Sequence, residues 1–283
     1  MQTGTLFVVA TPIGNLEDIT VRALRVLREV ALIAAEDTRR TAHLLARHAI
    51  ATPTTSLHAH NEHRKTASLV DRLQSGDSIA LVSDAGTPTV SDPGGELVAA
   101  AIAAGIRIEP IPGPSAILAA LTASGFSYDS FTFLGFPPTK TKERRAWFDR
   151  LIQVGGTVVF FEAPHRIVRT LTELGRISGN CPIVLGRELT KTHEELVRGP
   201  IVEVLERFPM ERGEFTVVAQ IGRTTHDAVA ETPSDAILVE QFGELTINRR
   251  RSRRKAIADL ARRHRLSANE VYQAIERGKN SGD

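Results

Sequence analysis

The segment SDAGTPTVSDPGG, residues 83–95, holds the strongest candidate for ligand binding in this sequence. It follows a short apolar run at residues 78–83 that predicts a buried strand. Its two carboxylates, Asp84 and Asp92, would repel a phosphate, whereas an amino group, a ribose diol or a sulfonium would suit Asp84. Asp92 is followed by Pro93, which is typical of a helix start, so we expect Asp92 to be a helix N-cap.

Two further loops follow predicted strands and are rich in glycine and proline. In ATPIGNLED, residues 10–18, Pro12 fixes a turn and Gly14 would let the backbone approach a ligand closely. This loop matches neither the dinucleotide fingerprint nor the phosphate-binding P-loop pattern. In PIPGPSA, residues 110–116, the prolines stiffen the chain before Ser115, where a helix begins with free backbone N–H groups.

A fourth loop, FFEAPHR at residues 160–166, carries Glu162, His165 and Arg166. Ligands of open parallel sheets bind beyond the carboxyl ends of the strands, so we expect these loops to meet around one ligand. His165 has no second ligand at metal spacing, and the histidines around residue 60 lack the companions of a zinc site. No metal site is predicted.

The elements that must position these loops alternate between short apolar runs and amphipathic stretches. This alternation predicts an α/β layer with a largely parallel sheet. The predicted strands cover residues 5–10, 31–35, 54–58, 78–83 and 107–111, and the predicted helices cover 17–30, 41–48, 62–73, 94–104 and 115–123.

A break rich in proline and glycine at residues 125–142 ends this layer, since Pro137 and Pro138 cannot continue a helix or a central strand. Beyond it we predict helices at 142–151 and 165–174, strands at 157–161 and 182–186, and two further elements at 197–205 and 214–221. We therefore expect an N-terminal α/β domain at residues 1–125, a second at 126–225, and a helical C-terminal module at 235–283 after a linker.

The C-terminal module concentrates positive charge. Residues 249–265 contain nine Arg or Lys and one Asp, a local charge of +8, whereas the whole chain carries +2. Such a cluster favours a polyanionic partner, with RNA or DNA first, although a solvated helix that aids solubility is the alternative. A capping box at Ser267 and Glu270 separates two short helices. They form either a helix-turn-helix or an ordinary helical hairpin.

Composition excludes several classes of protein. Hydrophobic residues make up 42% and charged residues 24% of 283 residues, which excludes disorder as the main state. Cys181 is the single cysteine, so no intramolecular disulfide can form. No apolar run approaches the roughly 18 residues of a membrane span, and the N-terminus lacks the basic region of a signal peptide. We expect a soluble, cytoplasmic protein with no membrane partner.

Eight motifs occur in an order that resembles one known family. They are GTLFVVATPIGNLEDIT, AEDTRRT, HNE, ALVSDAGTPTVSDPG, PIPGPSA, FFEAPHR, GRELTKTHEE and GEFTVV. Together they resemble the ribosomal RNA small subunit methyltransferase I family, a branch of the tetrapyrrole methylase superfamily, over roughly residues 4–222. The resemblance implies two α/β domains of the tetrapyrrole methylase type with S-adenosylmethionine in the cleft between them, a small helix-turn-helix-like C-terminal module, and a homodimer.

The same resemblance implies an activity and a set of cofactor contacts. The family methylates the ribose 2′-oxygen of one cytidine in the decoding region of small-subunit (16S) ribosomal RNA. Carried over by motif, the contacts to the cofactor come from Pro12, Ser83, Asp84, Thr87, Ser115, Ala116 and Phe161. The chain departs from the family pattern at Gly95, Ala163 and residues 57–59.

The implied reaction needs a group that accepts or orients the proton of a weakly acidic ribose hydroxyl, and such a base contributes about a hundredfold or more. The candidates are Glu36, Asp37, Asn61, Glu62 and Glu162. We hypothesise that Glu36, Asp37 or Glu162 takes this role. The alternative for Asp37 is that it caps the helix after the second strand.

Basic and histidine side chains beside these motifs could bind RNA phosphates. They are Arg39, Arg40, His60, His165, Arg166, Arg187 and Lys191 in the α/β part, and Arg250, Arg253 and Arg254 in the C-terminal module. The alternative for any one of them is a surface ion pair, such as Arg187 with Glu188. Two rival functions stay open: a small-molecule methyltransferase acting on a tetrapyrrole, and a DNA-binding regulator whose α/β body senses a ligand.

Overall fold

A computed structural model describes residues 3–126, 128–207, 212–222, 235–248, 252–264 and 267–280. The chain divides into two compact units, Met1–Thr224 and Thr225–Asp283. In the described residues the first unit holds two β-sheets, and the second contains helices alone. The fold is the predicted α/β class, while the limits proposed for the individual domains stay predictions.

The first sheet has five strands in the order β3-β2-β4-β1-β5, and every pair is parallel. Its strands are β1 (Thr5–Val9), β2 (Leu32–Ala35), β3 (Thr54–Ser56), β4 (Ile79–Val82) and β5 (Arg107–Ile111). The connecting helices are α1 (Val21–Glu29), α2 (Thr38–Arg47), α3 (Glu62–Gln74), α4 (Gly95–Ala103) and α5 (Ala116–Ala123). The predicted parallel sheet and its five strands are confirmed. Strands β2 and β4 are buried at every residue because they lie inside the sheet with helices on both faces.

Two helices begin at residues other than the predicted ones, because side-chain caps determine where they start. The helix predicted from residue 17 begins at Val21, because the Thr20 hydroxyl accepts the backbone N–H of Ala23 at 3.1 Å. A separate 3₁₀ turn, Leu16–Asp18, precedes it. The helix predicted from residue 41 begins earlier, at Thr38, where Asp37 is the N-cap.

The second sheet is mixed, with the order β6-β7-β10-β8-β9. Its strands are β6 (Phe131–Phe133), β7 (Gly156–Glu162), β8 (Pro182–Arg187), β9 (Glu195–Pro200) and β10 (Phe215–Ile221), and its helices are α6 (Thr141–Val154), α7 (Pro164–Ser178) and α8 (Ile201–Arg207). Strand β6 pairs parallel with β7, and the other pairs are antiparallel. The break predicted at 125–142 contains β6, which is too short for a recognisable pattern. The element predicted at 197–205 divides into β9 and α8.

Two hydrophobic clusters cover the faces of the second sheet. One face packs against α6, α7 and α8. The opposite face packs against α5, whose Ala120 and Leu121 contact Val159, Val184 and Val218. Helix α5 has the sequence AILAALTA and buries one face against the second sheet, while Leu118 and Thr122 on its other side are exposed.

The C-terminal unit has its own small core. It contains α9 (Asp235–Gly243), a π-helical turn (Glu244–Asn248), α10 (Arg253–His264) and α11 (Ala268–Asn280). The core is built from Phe242, Ala256, Leu260, Val271 and Ile275. The predicted capping box is confirmed: the Ser267 N–H donates to the Glu270 carboxylate at 2.7 Å, and the Glu270 N–H donates to the Ser267 hydroxyl at 3.2 Å. Over the described residues, no helix combines the length and apolarity that crossing a membrane requires.

Candidate functional site

A cavity of about 500 Å³ lies between the two sheets, and both sheets contribute to its walls. Each of the four loops singled out in the sequence supplies lining residues, so the predicted cleft is present. The lining from the first sheet comprises Ile13, Glu36, Arg40, Asp84, Ala85, Gly86, Thr87, Val90, Ser91, Asp92, Ser115, Ala116 and Ile117. The lining from the second sheet comprises Phe136, Phe161, Glu162, Ala163, Pro164, Leu189, Glu214, Phe215 and Thr216.

The first wall is acidic, and two of its carboxylates accept backbone N–H groups from the neighbouring strand end. The Asp84 N–H donates to the Glu36 carboxylate at 3.2 Å, and the Asp37 N–H donates to the Asp84 carboxylate at 2.9 Å. Arg40 Nη1 lies 3.5 Å from Asp84 Oδ2, so part of the charge of Asp84 is already neutralised. These bonds join the carboxyl ends of β2 and β4.

Asp92 also lies in this wall, and its predicted role as a helix cap is wrong. Helix α4 begins later, with Gly94 as its N-cap at a φ of 116°, and Asp92 lines the cavity instead. The left-handed φ favours glycine at this position. A Cβ at residue 94 would also lie 2.6 Å from Leu81 Cδ2, so no other residue fits without movement.

Burial raises the pKa of two carboxyls in the acidic wall. The pKa of Asp92 rises from 3.8 to about 6, because burial and the nearby charge of Glu36 outweigh a hydrogen bond from Ser83. Burial is also the main reason why the pKa of Glu36 is raised, and the charge of Asp84 adds to it, while the Asp84 N–H opposes it. Both groups therefore accept protons more readily than ordinary carboxylates.

Glu62 of the HNE motif caps a helix from a distance. Its Oε1 accepts the backbone N–H groups of Gly94 at 3.0 Å, Glu96 at 2.8 Å and Leu97 at 3.4 Å. These are the free N–H groups at the start of α4. Glu62 does not line the cavity. It holds the end of the loop that carries Asp84 and therefore acts on that wall indirectly.

Asn61, a predicted catalytic residue, braces the turn before α3. Its Oδ1 accepts the His58 N–H at 2.9 Å, and its Nδ2 lies 3.3 Å from the Ser56 hydroxyl. The side chain is buried outside the cavity lining. In this structure Asn61 is placed to shape the loop rather than to contact a ligand.

Asp37 occupies the helix-cap position that was weighed as its alternative. Its Oδ1 accepts the Arg39 N–H at 2.8 Å, and its Oδ2 lies 2.8 Å from Arg39 Nη2. Hydrogen bonds from Arg39 lower the pKa of Asp37 to about 2. A carboxylate with so low a pKa is a weak general base, and Asp37 lies outside the cavity lining.

Glu162 borders the cavity, but its carboxylate is fully buried and engaged. It accepts the Ala163 N–H at 2.8 Å and the Thr170 hydroxyl at 2.5 Å. Arg166 Nε lies 3.1 Å from it, and Arg144 Nη1 lies 3.9 Å from it. With four partners, the carboxylate holds β7, α6 and α7 together and has little freedom to accept a proton from a substrate.

The residues expected to contact the cofactor divide into two groups. Those in the cavity lining are Asp84, Thr87, Ser115, Ala116 and Phe161. Pro12 and Ser83 lie outside the lining. The buried Ser83 hydroxyl donates to the carbonyls of Ala85 at 3.3 Å and Gly86 at 3.4 Å, so it shapes the loop from below.

Gly14 faces another part of the protein rather than a ligand. A Cβ at this position would lie 2.4 Å from Lys191 Cγ and 2.8 Å from Thr190 Oγ1, so only glycine lets the two segments meet. Lys191 Nζ lies 3.0 Å from both Glu188 and Glu214. Although burial opposes it, hydrogen bonding to these carboxylates raises the pKa of Lys191. Lys191 thus sits in a salt-bridge cluster beside the cavity.

Several other predicted RNA-binding residues also have partners. Arg187 pairs with Glu195 at 3.5 Å, and its charge also helps to lower the pKa of the proposed partner Glu188. Arg166 donates to the Pro137 carbonyl. In the C-terminal unit, Arg253 pairs with Glu276 at 2.5 Å. The exposed residues of this group are Arg39, Arg40, His60, His165, Arg253 and Arg254, and Arg250 lies outside the described residues.

The sequence interpretation missed lining residues on the second wall. Phe136 lies in the segment GFPP, and its aromatic side chain beside two prolines was the available signal. Glu214 and Thr216 belong to the GEFTVV motif, which was noted without a role. Within the part of the chain that the structure describes, no group of three or more His, Cys, Asp or Glu side chains is arranged to hold a metal ion.

Comparisons with known proteins agree with this architecture. A family model described as "Tetrapyrrole (Corrin/Porphyrin) Methylases" matches residues 5–205. The protein named "Ribosomal RNA small subunit methyltransferase I" from Vibrio cholerae is 44% identical over 275 residues, which cover 95% of this chain and 93% of that protein. The chain belongs to the ribosomal RNA small subunit methyltransferase I branch of this family. Family membership makes it a methyltransferase and confirms the resemblance seen in the ordered motifs.

Other relatives of the same name also match most of this chain. The protein from Synechocystis is 44% identical over a matched region that covers 95% of this chain and 96% of that protein. The protein from Xylella fastidiosa is 48% identical over a matched region that covers 81% of this chain and 85% of that protein. The matches that cover 95% of this chain extend into the basic C-terminal unit.

Solved structures support the fold of this methyltransferase. Uroporphyrin-III-C-methyltransferase from Thermus thermophilus is 21% identical with a TM-score of 0.55, covering 77% of this chain and 94% of that chain. Diphthine synthase is 16% identical with a TM-score of 0.59, and the match covers 77% of this chain and 90% of that chain. At such low identity the likeness concerns the tetrapyrrole methylase fold alone.

Proposed function

We propose that this chain transfers the methyl group of S-adenosylmethionine to the ribose 2′-oxygen of a cytidine in the decoding region of small-subunit ribosomal RNA. The observation that supports it most is the cavity between the sheets, which has an acidic wall facing an aromatic one, in a chain whose full-length relatives are named ribosomal RNA small subunit methyltransferase I.

The walls of the cavity suit the chemistry of this methyl donor. When bound, S-adenosylmethionine supplies a methyl group on a positively charged sulfur, together with an adenosine and an amino-acid group. Carboxylates at Glu36 and Asp84 favour cationic groups, while Ile117 and Phe161 offer an apolar surface. A related structure, uroporphyrin-III C-methyltransferase from Thermus thermophilus, is described as complexed with S-adenosylhomocysteine. The residues present therefore fit the donor.

The proton of the ribose hydroxyl has two candidate acceptors on the acidic wall. As the new carbon–oxygen bond forms, this proton must leave the oxygen, and a nearby carboxylate accelerates the step. Asp84 is engaged by Asp37 and Arg40, which leaves Glu36 and Asp92 as the lining carboxylates with a raised pKa. Either one is placed to accept the proton, whereas Asp37 and Glu162 are committed to other partners.

The partners follow from the same proposal. The basic residues 249–265 supply positive charge that favours the phosphates of RNA. The protein acts as a homodimer in the cytoplasm. Size-exclusion chromatography with light scattering tests the dimer separately, and a monomer at assay concentration would contradict it.

A methyl-transfer assay tests the activity itself. Radiolabelled S-adenosylmethionine is supplied with small ribosomal subunits, free ribosomal RNA, DNA or uroporphyrinogen. We expect label in small-subunit RNA, with ribose methylation mapping to one cytidine that stays unmodified in cells lacking the protein. Label on uroporphyrinogen would favour the small-molecule alternative. Binding to DNA without transfer would favour the regulator.

A further inference from the structure

Phe136 presents an aromatic ring that is half exposed at the cavity. It lies on the loop after β6, its side chain is 50% exposed, and it lines the cavity. Its ring is 5.4 Å from that of Phe161, and the ring of Phe161 is 4.9 Å from that of Phe133. Phe136 is therefore the most exposed of three contacting aromatic rings. A half-exposed phenylalanine leaves apolar surface in water that a ligand can cover.

The backbone around Phe136 is held firmly on both sides. The Phe161 N–H donates to the Gly135 carbonyl at 3.0 Å, and Arg166 donates to the Pro137 carbonyl. The Trp147 indole N–H donates to the Leu134 carbonyl at 2.9 Å. Because these bonds secure residues 134–137, the exposed ring is already positioned before a ligand binds, which reduces the entropy cost of binding.

This loop meets the acidic wall across the cleft. A Cβ at Gly135 would lie 3.6 Å from the Ser91 hydroxyl, so the two segments lie close to each other. The residue after Gly135 is Phe136, and the residue after Ser91 is Asp92. The exposed ring and one of the two carboxylates with a raised pKa are thus carried by adjoining segments on opposite walls.

We propose that Phe136 stacks against the base of the target nucleotide in the RNA substrate. This inference rests on the proposed function and names the residue that positions the nucleotide. Unpaired RNA bases stack on exposed aromatic side chains, and a macromolecule can reach a ring at the mouth of a cavity more easily than one at its base. Stacking on Phe136 would direct the attached ribose toward the side of the cavity where Asp92 lies.

The competing occupant of this ring is the adenine of the methyl donor. Adenine is also planar and would stack equally well. The exposure of Phe136 argues for the RNA base, because the donor must lie deeper than the RNA for its methyl group to face a substrate that enters from outside. Phe161, which is less exposed, is the ring that the donor reaches.

Substitutions at Phe136 separate these occupants. F136A removes the ring, F136L keeps apolar volume without an aromatic face, and F136Y restores the face. We measure steady-state methyl transfer to small ribosomal subunits that lack the modification, and donor affinity by calorimetry. We expect kcat/KM for the subunits to fall roughly 10- to 100-fold in F136A and F136L, most of it to return in F136Y, and donor affinity to stay unchanged.

Phe131 provides the matched control. It is also an exposed phenylalanine of this region, at 40%, but it contacts Tyr128 and lies outside the cavity lining. F131A should leave methyl transfer unchanged. Thermal unfolding of every variant shows whether the fold is retained. Because F136L keeps apolar volume at this position, a loss of activity in F136L as well as in F136A is due to the missing aromatic face rather than to lost packing.

Each result bears on the inference in a defined way. If F136L and F136A are as active as the parent protein, or if donor affinity falls by the same factor as activity, stacking of the RNA base is disproved. If the parent protein itself methylates no RNA, the proposed function fails and this inference fails with it. An active parent with insensitive variants overturns the inference alone.

Discussion

The carboxylate of Glu62 accepts the backbone N–H of Gly94 at 3.0 Å, although 32 positions separate the two residues in the chain. The bond joins the first residue of α3 to the cap of α4. The loop that ends at Gly94 carries Asp84 and Asp92 into the cavity. A residue outside the cavity therefore fixes one end of its acidic wall.

Replacing Glu62 should weaken donor binding as well as stability. E62A leaves the N–H groups of Gly94, Glu96 and Leu97 without their acceptor, which costs about 1–3 kcal/mol of unfolding free energy and loosens the loop. E62Q keeps an acceptor oxygen and should lose less. Denaturant unfolding and calorimetric titration with S-adenosylmethionine measure the two effects.

Thr20 offers a control of the same chemical kind. T20A removes the cap of α1 and should cost about 1 kcal/mol without altering donor affinity. If E62A bound the donor as tightly as the parent protein, the link between this cap and the acidic wall would be refuted.

Glu162 should prove essential for stability. Its side chain is 0% exposed, and removing it in E162A leaves Arg144, 5% exposed, without one of its buried carboxylate partners. Loss of one member of a buried ion-pair network costs about 3–5 kcal/mol. E173A removes the other carboxylate near Arg144, but Glu173 is 39% exposed, so its loss should cost less than about 1 kcal/mol. Equal losses in urea unfolding would contradict this ranking.

The rate of methyl transfer should rise as the pH increases through about 6, where Asp92 loses its proton. Below this pH the carboxyl is protonated and cannot accept the proton of the hydroxyl. If Asp92 is the acceptor, D92N lowers kcat by about a hundredfold or more and abolishes this rise. If Glu36 is the acceptor, E36Q lowers kcat by about a hundredfold or more instead. Full activity in both variants, with the donor bound, would rule out a carboxylate of this wall.

The raised pKa of Asp92 also predicts how stability depends on pH. Between about pH 4 and 6 the folded protein binds more protons at this site than the unfolded chain, so Asp92 lowers stability as the pH rises through this window. D92N should therefore be more stable than the parent at pH 7, by ~1 kcal/mol given the partial solvent exposure, and equally stable near pH 4. Thermal unfolding at both pH values checks this, and a destabilised D92N at pH 7 would show that the charge is favourably paired.

Deleting residues 235–283 should reduce RNA binding and leave donor binding intact. The α/β part forms one compact unit, and the C-terminal helices form another with a core of their own. Because the deleted segment contains the basic cluster, the logarithm of RNA affinity should also depend less steeply on the logarithm of salt concentration. Filter binding at several salt concentrations and calorimetry with the donor measure both. Parallel losses of RNA and donor binding would mean that the module is structural.

Much of the fold could be predicted from local patterns. Apolar runs such as residues 31–35 and 78–83 predicted strands of the first sheet, since burial on both faces requires continuous hydrophobic segments. The capping box at Ser267 and Glu270 was also visible, because its bonds join residues only three apart. Strand β6 was missed because three residues carry no recognisable period.

The site was predictable only in part, because the partner of a polar side chain is decided by distant segments. Asp92 followed by Pro93 has the local form of a helix cap, yet Glu62 from another helix takes the N–H groups of α4 and leaves Asp92 in the cavity wall.

The sequence by itself determined the class of fold, the loops around the cleft and, through its ordered motifs, the methyltransferase family. Only the tertiary structure decided which carboxylates line the cavity, that Gly14 faces Lys191, and that Phe136 reaches the cavity. Secondary structure follows from short-range periodicity, whereas these pairings arise when segments far apart in the chain compete for the same charges, N–H groups and space.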